Sequence, residues 1–238
     1  MAIHSDIAFT WLGHSTFTFR TADGAVLMVD PWLQDNPACP DDLKNPEKLD
    51  ALLITHGHFD HIADAVRLGR ELKPAAVVGA FEACEWLKAK GVENTLGMNK
   101  GGTVDVAGIR ATMVHAVHSC GISDGDQIIY GGEAAGYVLD FGNGLTIYHA
   151  GDTDVFSDMQ LIGELYEPDV AFLPIGGHFT MGPRGAARAC KLLGVSSVVP
   201  MHYGTFPILA GTPDELTAAL EGESPRCQVL TVKPGERF

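Results

Sequence analysis

Short hydrophobic runs open the chain, and each run is followed by glycine or aspartate. These runs cover residues 7–12, 16–20 and 25–29. Alternating or continuous apolar runs of this length, separated by turn-forming residues, are typical of β-strands. The beginning of the chain therefore predicts three sheet strands.

Later stretches carry apolar residues at the three-to-four spacing of an α-helix. They cover residues 64–72, 81–90, 156–165 and 185–193. A further helix is predicted to open at Thr212, because threonine can cap a helix, Pro213 suits its first position, and Glu215 lies where a capping box needs it. Tight turns are predicted at residues 107–108 and 141–144, where glycine lies between β-like runs.

One order of segments occurs twice. The first copy reads VLMVDP … LDALLITHGHFDH … LKPAAVV, and the second reads TIYHAGDT … PDVAFLPIGGHFTMGP … LGVSSVV. The repeat predicts an α/β (α+β) protein whose two related halves pack sheet to sheet as a four-layer αββα sandwich. We expect a single domain over residues 1–238, with the break between halves near 125–135. The active site would lie where loops of both halves meet.

Composition places the chain among soluble globular proteins. Hydrophobic residues make up 46% of the chain and charged residues 19%, which is neither a disordered nor a fibrous composition. The formal net charge of -14 argues against binding to nucleic acid, which needs a basic surface. We therefore expect a small-molecule substrate and no nucleic-acid partner.

The cysteines and the N-terminal sequence indicate the cellular compartment of the protein. The five cysteines are scattered and form no CxxC pair, which suggests a reducing compartment. The first residues, MAIHSDIAFTW, contain no basic segment followed by an apolar core, and no later stretch approaches membrane-spanning length. We predict a cytoplasmic protein without a membrane partner, and the sequence leaves a homo-oligomer open.

The stretch THGHFDH carries the most distinctive chemistry. It places three histidines and an aspartate within positions 56–61, directly after the apolar run at 52–54. Gly57 allows a tight turn, so the polar side chains gather at a strand end, ahead of a helix predicted to begin near Ile62. Imidazole and carboxylate together suit a borderline or harder divalent metal. The alternative is a polar loop or a set of hydrogen-bonded core histidines, and the density of the cluster favours the metal site.

A single loop would not complete a catalytic metal site, so further ligands are expected elsewhere. Each candidate follows a β-like run and could lie at a strand end. The candidates are His115, His118, His149, Asp152, His178 and His202.

The order of these motifs resembles the metallo-β-lactamase fold. The series HxHxDH, His118, Asp152 in HAGDT and His202 after SVVP follows the order of ligands in that fold. The wider string GHS … VDP … THGHFDH … HAGDT … LPIGGHFTMGP … PMHYGTFP is similar to a family of small metal-dependent hydrolases related to the ascorbate-6-phosphate lactonases. The resemblance extends from Gly13 to Pro207 and implies a metal-dependent hydrolase.

The resemblance also implies two divalent metal ions, with zinc favoured and manganese, iron or nickel as alternatives. The first ion would be held by His56, His58 and His118, and the second by Asp60, His61 and His202, with Asp152 bridging the two. His118 is preferred to His115 because AVHSC resembles the pattern of the family. If both lie on one strand, their odd separation also points them to opposite faces.

Two bridged metals about 3.5–4 Å apart lower the pKa of a shared water toward about 7, which gives hydroxide at neutral pH. This bridging hydroxide is the predicted nucleophile, and the bond under attack would be a small ester, lactone or phosphodiester. Asp60 is the predicted catalytic residue, which would orient the nucleophile or carry a proton. As a metal ligand it could equally do no acid–base work.

Residues around the ligands match other motifs of the family. His14 in GHS and Asp30 in VDP are predicted to support the metal ligands, because ligating imidazoles donate their second N–H to a carboxylate or carbonyl. A turn aspartate before proline is the alternative for Asp30. His178 and Thr180 are predicted to contact the substrate. The aromatic residues that follow His202 in HYGTFP either line the pocket or pack in the core.

Two other functions stay open from the sequence. A mononuclear iron oxygenase or redox enzyme could use the same motif, and so could a metal-binding regulatory protein without catalytic turnover. The short stretch between Asp152 and His202 leaves no room for the inserted domain of the nucleic-acid-processing members of the fold. A metal-dependent hydrolase is the favoured prediction.

Overall fold

The structure of the protein is a computed structural model that describes residues 7–238. The prediction that the chain has no leader sequence rests in part on residues 1–6 and lies outside the described residues. Within the described part of the chain, no helix combines the length and the apolar character needed to cross a membrane.

Six strands form the first sheet. They are β1 Ala8–Trp11, β2 Phe17–Arg20, β3 Val26–Val29, β4 Ala51–Leu53, β5 Ala76–Ala80 and β6 Thr95–Met98. They lie in chain order, antiparallel from β1 to β3 and parallel from β3 to β6. The three strands predicted at the start of the chain are confirmed. The continuous apolar sequences of β3 and β4 fit parallel strands that are covered on both faces.

The second sheet contains seven strands. Two further strands form a separate hairpin, and their residues lie in the sequence between strands of the second sheet. The remaining strands are β7 Thr103–Val106, β8 Ile109–His115, β9 Gly121–Asp124, β10 Gln127–Tyr130, β11 Ala135–Asp140, β12 Thr146–His149, β13 Val170–Pro174, β14 Ser197–Met201 and β15 Gln228–Val229. The second sheet has the order β15-β14-β13-β12-β11-β8-β7 and is parallel from β12 to β15, while β9 and β10 pair only with each other. Both predicted turns are confirmed, because they join β7 to β8 and β11 to β12.

Among residues 7–238, six α-helices connect the strands. They are α1 Phe59–Ile62, α2 Ala65–Glu71, α3 Phe81–Ala89, α4 Met159–Tyr166, α5 Pro183–Leu193 and α6 Pro213–Glu223. The five predicted helices are confirmed, although α4 begins later than predicted because a hydrogen-bonded turn at Phe156 precedes it. The capping box at α6 is also confirmed, since Thr212 Oγ1 accepts from the Glu215 amide at 3.2 Å. The helix expected near Ile62 is α1, and it begins earlier, at Phe59.

The two sheets pack face to face, with aromatic side chains between them. Phe172 of β13 contacts Phe9 and Phe17 of the first sheet, with ring centroids 5.1 and 4.8 Å apart. Tyr137 of β11 donates its hydroxyl to the Ile54 carbonyl at 2.9 Å, which ties the second sheet to the end of β4. One hydrophobic core is therefore shared by both sheets.

Helices cover the outer faces of both sheets. Leu68 of α2 and Leu87 of α3 pack against Met28 and Leu52 on the outer face of the first sheet. Ala187 of α5 packs into the core of the second sheet. The layers are thus helices, sheet, sheet and helices, and the predicted four-layer αββα sandwich is confirmed.

The chain changes sheets between β6 and β7, from Met98 to Thr103. The predicted break near residues 125–135 falls at the β10 strand and the segment that follows it. The assignment of residues 1–238 to one domain with two related halves stays a prediction.

Candidate metal centre

Five strand ends meet at one edge of the sheets. Asp30 follows β3, His56 follows β4, His118 follows β8, Asp152 follows β12 and His202 follows β14. Side chains that are far apart in sequence meet here because ligand sites in sheet proteins form at strand ends. The first two come from the first sheet and the other three from the second, so both halves of the sandwich contribute.

His56, His58 and His118 form what we call the trihistidine cluster. Nδ1 of His58 lies 3.0 Å from Nε2 of His56 and 3.3 Å from Nε2 of His118. The ring nitrogens involved all lie within 4.8 Å of one another. Nitrogens bound to one tetrahedral metal at about 2.0–2.1 Å are separated by roughly 3.3 Å. The trihistidine cluster therefore has the spacing of three ligands around a single ion.

Asp60, His61 and His202 form a second group, which we call the mixed cluster. One donor atom of each lies within 4.8 Å of the others and of a donor atom of His14. Nε2 of His202 lies 3.8 Å from Oδ2 of Asp60. Because α1 begins at Phe59, Asp60 and His61 lie on its first turn, so the start of this helix divides the THGHFDH ligands between the two clusters.

The carboxylate of Asp152 lies between the clusters. On one side its Oδ2 atom is 2.9 Å from Nε2 of His202 and 3.3 Å from Nε2 of His61. On the other side the same oxygen is 3.6 Å from Nε2 of His118 and 4.0 Å from Nε2 of His56. A single oxygen atom is thus close to ligand atoms of both clusters, which is the position that a bridging ligand requires.

Several polar atoms of this centre are buried without a hydrogen-bond partner among the described residues. They are Nδ1 of His202 and Oδ1 of Asp152, together with Nε2 of His61 and Nε2 of His202, which lie near Oδ2 of Asp152 without the geometry of a hydrogen bond. An unpaired buried polar atom costs about 1–3 kcal/mol. Imidazole nitrogens and carboxylate oxygens directed into one volume are the donor set of a zinc-type divalent ion. The residues present therefore fit bound metal ions.

Asp30 orients one imidazole of each cluster. Its Oδ2 atom lies 2.7 Å from Nδ1 of His61 and accepts the Thr55 hydroxyl at 2.7 Å. Because the Thr55 hydroxyl donates to Asp30, it accepts from Nδ1 of His56, which lies 3.0 Å away. Both imidazoles therefore carry a proton on Nδ1 and keep the Nε2 lone pair for a metal. The structure places Asp30 behind both clusters, and its role in metal binding stays a prediction.

His14 contacts the mixed cluster from another side. Its Nε2 atom lies 3.0 Å from Oδ2 of Asp60, and its Nδ1 atom lies 3.0 Å from Oγ1 of Thr205. Because an ionised carboxylate only accepts, Nε2 donates to Asp60 and the Thr205 hydroxyl donates to Nδ1. The carbonyl of His14 accepts from the His202 amide at 3.0 Å. His14 thus holds Asp60 with its side chain and His202 with its backbone.

Three residues of the centre have left-handed backbone conformations. His14, Asp30 and His202 have φ angles of 57°, 51° and 54°. Such angles cost a residue with a side chain roughly 1–2 kcal/mol each. Strain of this kind concentrates at functional sites, where surrounding contacts hold the backbone in place. Here it turns the chain sharply at the ends of β3 and β14, which brings Asp30 and His202 to the centre.

Ionisation states in the centre suit metal coordination. Burial lowers the pKa of His56 well below its ordinary value and also lowers the pKa values of His58 and His118. Burial would raise the pKa of Asp60, but the hydrogen bond from His14 and nearby imidazoles lower it to about 2. These residues are therefore neutral imidazoles and an ionised carboxylate near neutral pH, which are the forms that bind metals.

His61 differs from the other imidazoles. Burial acts against its charge, but the carboxylates of Asp152 and Asp30 raise its pKa well above the ordinary value. The two carboxylates therefore favour a positive charge at this position. A divalent cation at Nε2 of His61 would supply that charge.

Other histidines considered from the sequence belong to neither cluster. His115 is the exposed last residue of β8, and its Nδ1 atom lies 3.0 Å from Nζ of Lys100. His118 follows the strand, so the condition of the argument from opposite strand faces is not met. The structure brings His118 and not His115 to the centre. His149 contacts backbone atoms, the Ser15 carbonyl at 3.2 Å and the Gly151 amide at 3.3 Å.

The predicted substrate-binding residues lie in the loop after β13. This loop is tied to the centre through the Met181 amide, which donates to the carbonyl of Thr153, next to Asp152. Thr180 is buried and its hydroxyl donates to the Met181 carbonyl at 3.3 Å, while His178 is exposed. Substrate contact by His178 and Thr180 stays a prediction.

Sequence reasoning missed three hydroxyl residues that contact the site histidines. Thr55 and Thr205 contact His56 and His14, and Oγ of Ser119 lies 3.2 Å from Nε2 of His58. Each lies within three residues of a ligand in sequence, which is the only signal available for it. No motif spacing shows that such a hydroxyl will face a ring nitrogen.

Sequence comparisons relate the chain to a superfamily and to metal-dependent hydrolases. The sequence model of the beta-lactamase superfamily domain matches residues 26–203. A UPF0173 metal-dependent hydrolase of Koribacter versatilis is 55% identical over 232 residues, which cover 98% of this chain and 97% of that protein. A UPF0173 metal-dependent hydrolase of Solibacter usitatus is 53% identical over 227 residues, which cover 95% of this chain and 97% of that protein.

Solved structures share the fold. Igni18, a metallo hydrolase of the hyperthermophilic archaeon Ignicoccus hospitalis, is 37% identical with a TM-score of 0.83, covering 98% of this chain and 97% of that one. The metallo-beta-lactamase fold protein YhfI of Bacillus subtilis is 17% identical with a TM-score of 0.71, covering 98% of each chain. The likeness to YhfI concerns the fold alone. The predicted metallo-β-lactamase fold is confirmed.

Proposed function

We propose that this chain, which belongs to the beta-lactamase superfamily and within it to the UPF0173 metal-dependent hydrolases, hydrolyses a small ester, lactone or phosphodiester at two divalent metal ions. The observation that carries the proposal is the position of Asp152. Its Oδ2 atom lies between 2.9 and 4.0 Å from ring nitrogens of both the trihistidine cluster and the mixed cluster. A carboxylate shared in this way supports a paired metal centre over a single ion.

The trihistidine cluster would hold one ion and the mixed cluster the other, with Asp152 bound to both. Imidazole-rich ligation favours zinc, and the carboxylates leave manganese, iron or nickel as alternatives. When bound, such ions supply a hydroxide nucleophile at neutral pH and polarise the bond under attack. The proposed activity includes the hydrolysis of lactones, as the resemblance to the ascorbate-6-phosphate lactonases implies.

The residues of the chain position the ligands and set their protonation. Asp30 keeps the Nδ1 proton on His61 and, through Thr55, on His56. The low pKa of Asp60, about 2, keeps the carboxylate ionised near neutral pH, so it is suited to bind a metal and poorly suited to donate or take up a proton. Of the two catalytic roles expected for Asp60, orienting the nucleophile is therefore favoured over carrying a proton.

Access to the centre is one-sided. The side chains of His118 and Asp60 are 12% and 13% exposed, whereas those of His61 and Asp30 are fully buried. A substrate would therefore approach past His118 and Asp60. His58 is half-buried as well, whereas His56, His61, Asp152 and His202 are buried. Burial of these four residues limits the entry of bulk water and strengthens electrostatic interactions inside the site.

Metal analysis and turnover together test this function. Protein purified without chelator is analysed for metals, then stripped, reloaded with each candidate ion and assayed on esters, lactones and phosphodiesters. We expect two equivalents of metal per chain and hydrolysis that His58→Ala abolishes and His115→Ala preserves. Less than one equivalent, or full activity in His58→Ala, would contradict the proposal.

The same assay separates the other two functions. Turnover that requires oxygen with the iron-loaded protein would indicate an oxygenase, because hydrolysis needs no oxygen. A blank substrate panel, together with a melting temperature that falls on metal removal, would indicate a regulatory protein.

We also propose a cytoplasmic location, a small-molecule substrate and no nucleic-acid or membrane partner. All five cysteines are buried and unpaired in the described chain, which supports a reducing compartment. The net charge of -14 would repel polyanions. Cell fractionation and a nucleic-acid binding assay test these points.

A further inference from the structure

Three aromatic residues pack together beside the metal centre, and we call them the aromatic wall: Trp32, Phe59 and Phe206. The ring of Trp32 stacks on Phe206 with centroids 5.7 Å apart and meets Phe59 edge-on at 5.8 Å. Trp32 is buried and Phe206 is partly exposed. Phe59 is 54% exposed, although large apolar side chains are usually covered.

The aromatic wall is continuous with the mixed cluster. His14, which donates to Asp60, lies edge-on to Trp32 at 5.0 Å and to Phe206 at 5.9 Å. Phe59 is the residue between His58 and Asp60, so its side chain leaves the chain between ligands of the two clusters. A molecule that reaches the metal centre past Asp60 therefore meets an apolar surface.

Among the described residues, no positive side chain pairs with this surface or with the centre. Within residues 7–238, no lysine or arginine forms a hydrogen bond or ion pair with the aromatic wall or with any residue of the two clusters, and the only cation–π contact is between Lys90 and Trp86. Lys100, which contacts His115, is paired with Glu133. Recognition of a phosphate ester commonly uses arginine or lysine.

The charges of the centre itself are negative. The carboxylates of Asp30, Asp60 and Asp152 lie at or directly behind the metal ligands. They offset most of the positive charge of two divalent ions, so little remains to attract an anionic substrate. Placing a phosphodiester anion against the aromatic wall would also remove part of its hydration without supplying a partner.

We infer that the site takes an uncharged carboxylic ester or lactone whose apolar acyl or aryl group packs on the aromatic wall, and that it discriminates against phosphodiesters. The inference rests on the proposed hydrolase function and narrows its substrate class. One water is consumed: its oxygen bonds to the carbonyl carbon, the acyl–oxygen bond breaks, and the alcohol oxygen takes a proton. The products at neutral pH are a carboxylate, an alcohol and one released proton.

A matched pair of compounds tests the charge preference. Metal-loaded protein is assayed with para-nitrophenyl hexanoate and with para-nitrophenyl hexyl phosphate, which present similar apolar groups but differ in charge. We expect turnover of the ester, with a KM about tenfold or more below the KM or inhibition constant of the phosphodiester. A phosphodiester that binds as tightly as the ester overturns the inference, and its hydrolysis would leave the proposed hydrolase function standing.

Variants of the aromatic wall test where the apolar group binds. Binding of para-nitrophenyl hexyl ether, which cannot be hydrolysed, is measured by calorimetry for the wild type, Phe59→Ala and Phe206→Ala. We expect each variant to raise the dissociation constant about tenfold, because truncation removes apolar contact area. The control is Leu165→Ala, which truncates another exposed apolar side chain, on α4.

The outcomes of the binding experiment are distinct. Phe59 is exposed, so Phe59→Ala keeps the test informative even if Phe206→Ala does not fold. Equal dissociation constants in Phe59→Ala, Leu165→Ala and the wild type would overturn the aromatic wall as the binding surface. Failure of the protein to hydrolyse any ester, lactone or phosphodiester would remove the proposed function and this inference with it.

Discussion

Asp30 shows how one residue can orient two imidazoles of the candidate metal centre. Its carboxylate receives His61 directly and His56 through the Thr55 hydroxyl. It also accepts the Thr55 amide at 2.8 Å, so the start of the THGHFDH loop is fixed to the end of β3. The orientation of both imidazoles therefore depends on the side chain of Asp30.

Replacing Asp30 is expected to weaken metal binding. Asp30→Asn keeps the shape of the side chain but removes the charge that holds the Nδ1 protons, and we expect metal affinity to fall about 10–100-fold. Competition with a chromogenic chelator measures the change. Asp35→Asn is the control, because Asp35 is exposed in the segment after β3. Equal affinities in the two variants would contradict the role given to Asp30.

His118 and His115 form a matched test of the ligand set. We expect His118→Ala to lose metal from the trihistidine cluster, so that bound metal falls from two equivalents toward one. His115→Ala should keep both equivalents, because His115 is exposed and contacts Lys100. Elemental analysis after gel filtration measures the metal content. Loss of metal in His115→Ala with retention in His118→Ala would reverse the assignment.

Sequence motifs predicted which residues gather at the centre, but not how they are supported. HxHxDH, Asp152 and His202 have distinctive types and order, so their convergence could be predicted. The hydroxyls of Thr55 and Thr205 could not, because threonine beside histidine is common and its contact depends on backbone angles. The left-handed conformations of His14 and His202 could not be predicted from the sequence either, because glycine is the usual signal for such a conformation and neither residue is glycine.

At the scale of elements, the short helix α1 determines how the ligands divide. Polar residues in THGHFDH suggested a loop that continued to Ile62. The structure begins the helix at Phe59, because the chain turns back at His58 and the His61 and Ile62 amides donate to its carbonyl. Helix propensity is a weak signal over so few residues. The four ligands could be predicted, but their geometry could not.

The loop after β13 packs closely against the residue that follows β14. A Cβ atom added at Gly176 would lie 2.3 Å from the His202 carbonyl oxygen. We expect Gly176→Ala to lower the free energy of unfolding by about 1–3 kcal/mol and to weaken metal binding, because His202 must move. Urea denaturation of the metal-loaded protein measures the first effect, and chelator competition the second.

Gly222→Ala is the matched control for this prediction. Gly222 lies in α6, and nothing lies within 4 Å of an added Cβ. Alanine should stabilise this helix by up to about 1 kcal/mol. If Gly176→Ala were as stable as Gly222→Ala, the close approach to His202 would have no energetic consequence.

At the scale of the molecule, the candidate metal centre is built from residues of both sheets. Asp30, His56 and the α1 ligands come from loops of the first sheet, whereas His118, Asp152 and His202 come from loops of the second. The repeat in the sequence predicted four layers and a site between halves. It did not show that the chain changes sheets before β7. The sequences of strands such as β7 and β8 do not indicate which of the two sheets they join.

Metal removal is expected to destabilise the whole molecule, because bound ions stabilise the folded state. An ion present at a thousand times its dissociation constant contributes about 4 kcal/mol. We expect the melting temperature to fall after dialysis against a chelator and to recover when zinc is returned. Calorimetry measures the change in melting temperature. This change should be smaller in His61→Ala, because the variant lacks one of the proposed ligands. Equal melting temperatures with and without metal would indicate that no ion links the sheets.

A crystal structure of the zinc-loaded protein, with diffraction data collected on both sides of the zinc absorption edge, tests the paired centre most directly. We predict two anomalous peaks, one among Nε2 of His56, Nδ1 of His58 and Nε2 of His118, and the other among the side chains of the mixed cluster, each at about 2.0–2.2 Å from its ligands. The carboxylate of Asp152 should contact both peaks. A single peak, or two peaks that Asp152 does not join, would contradict the account.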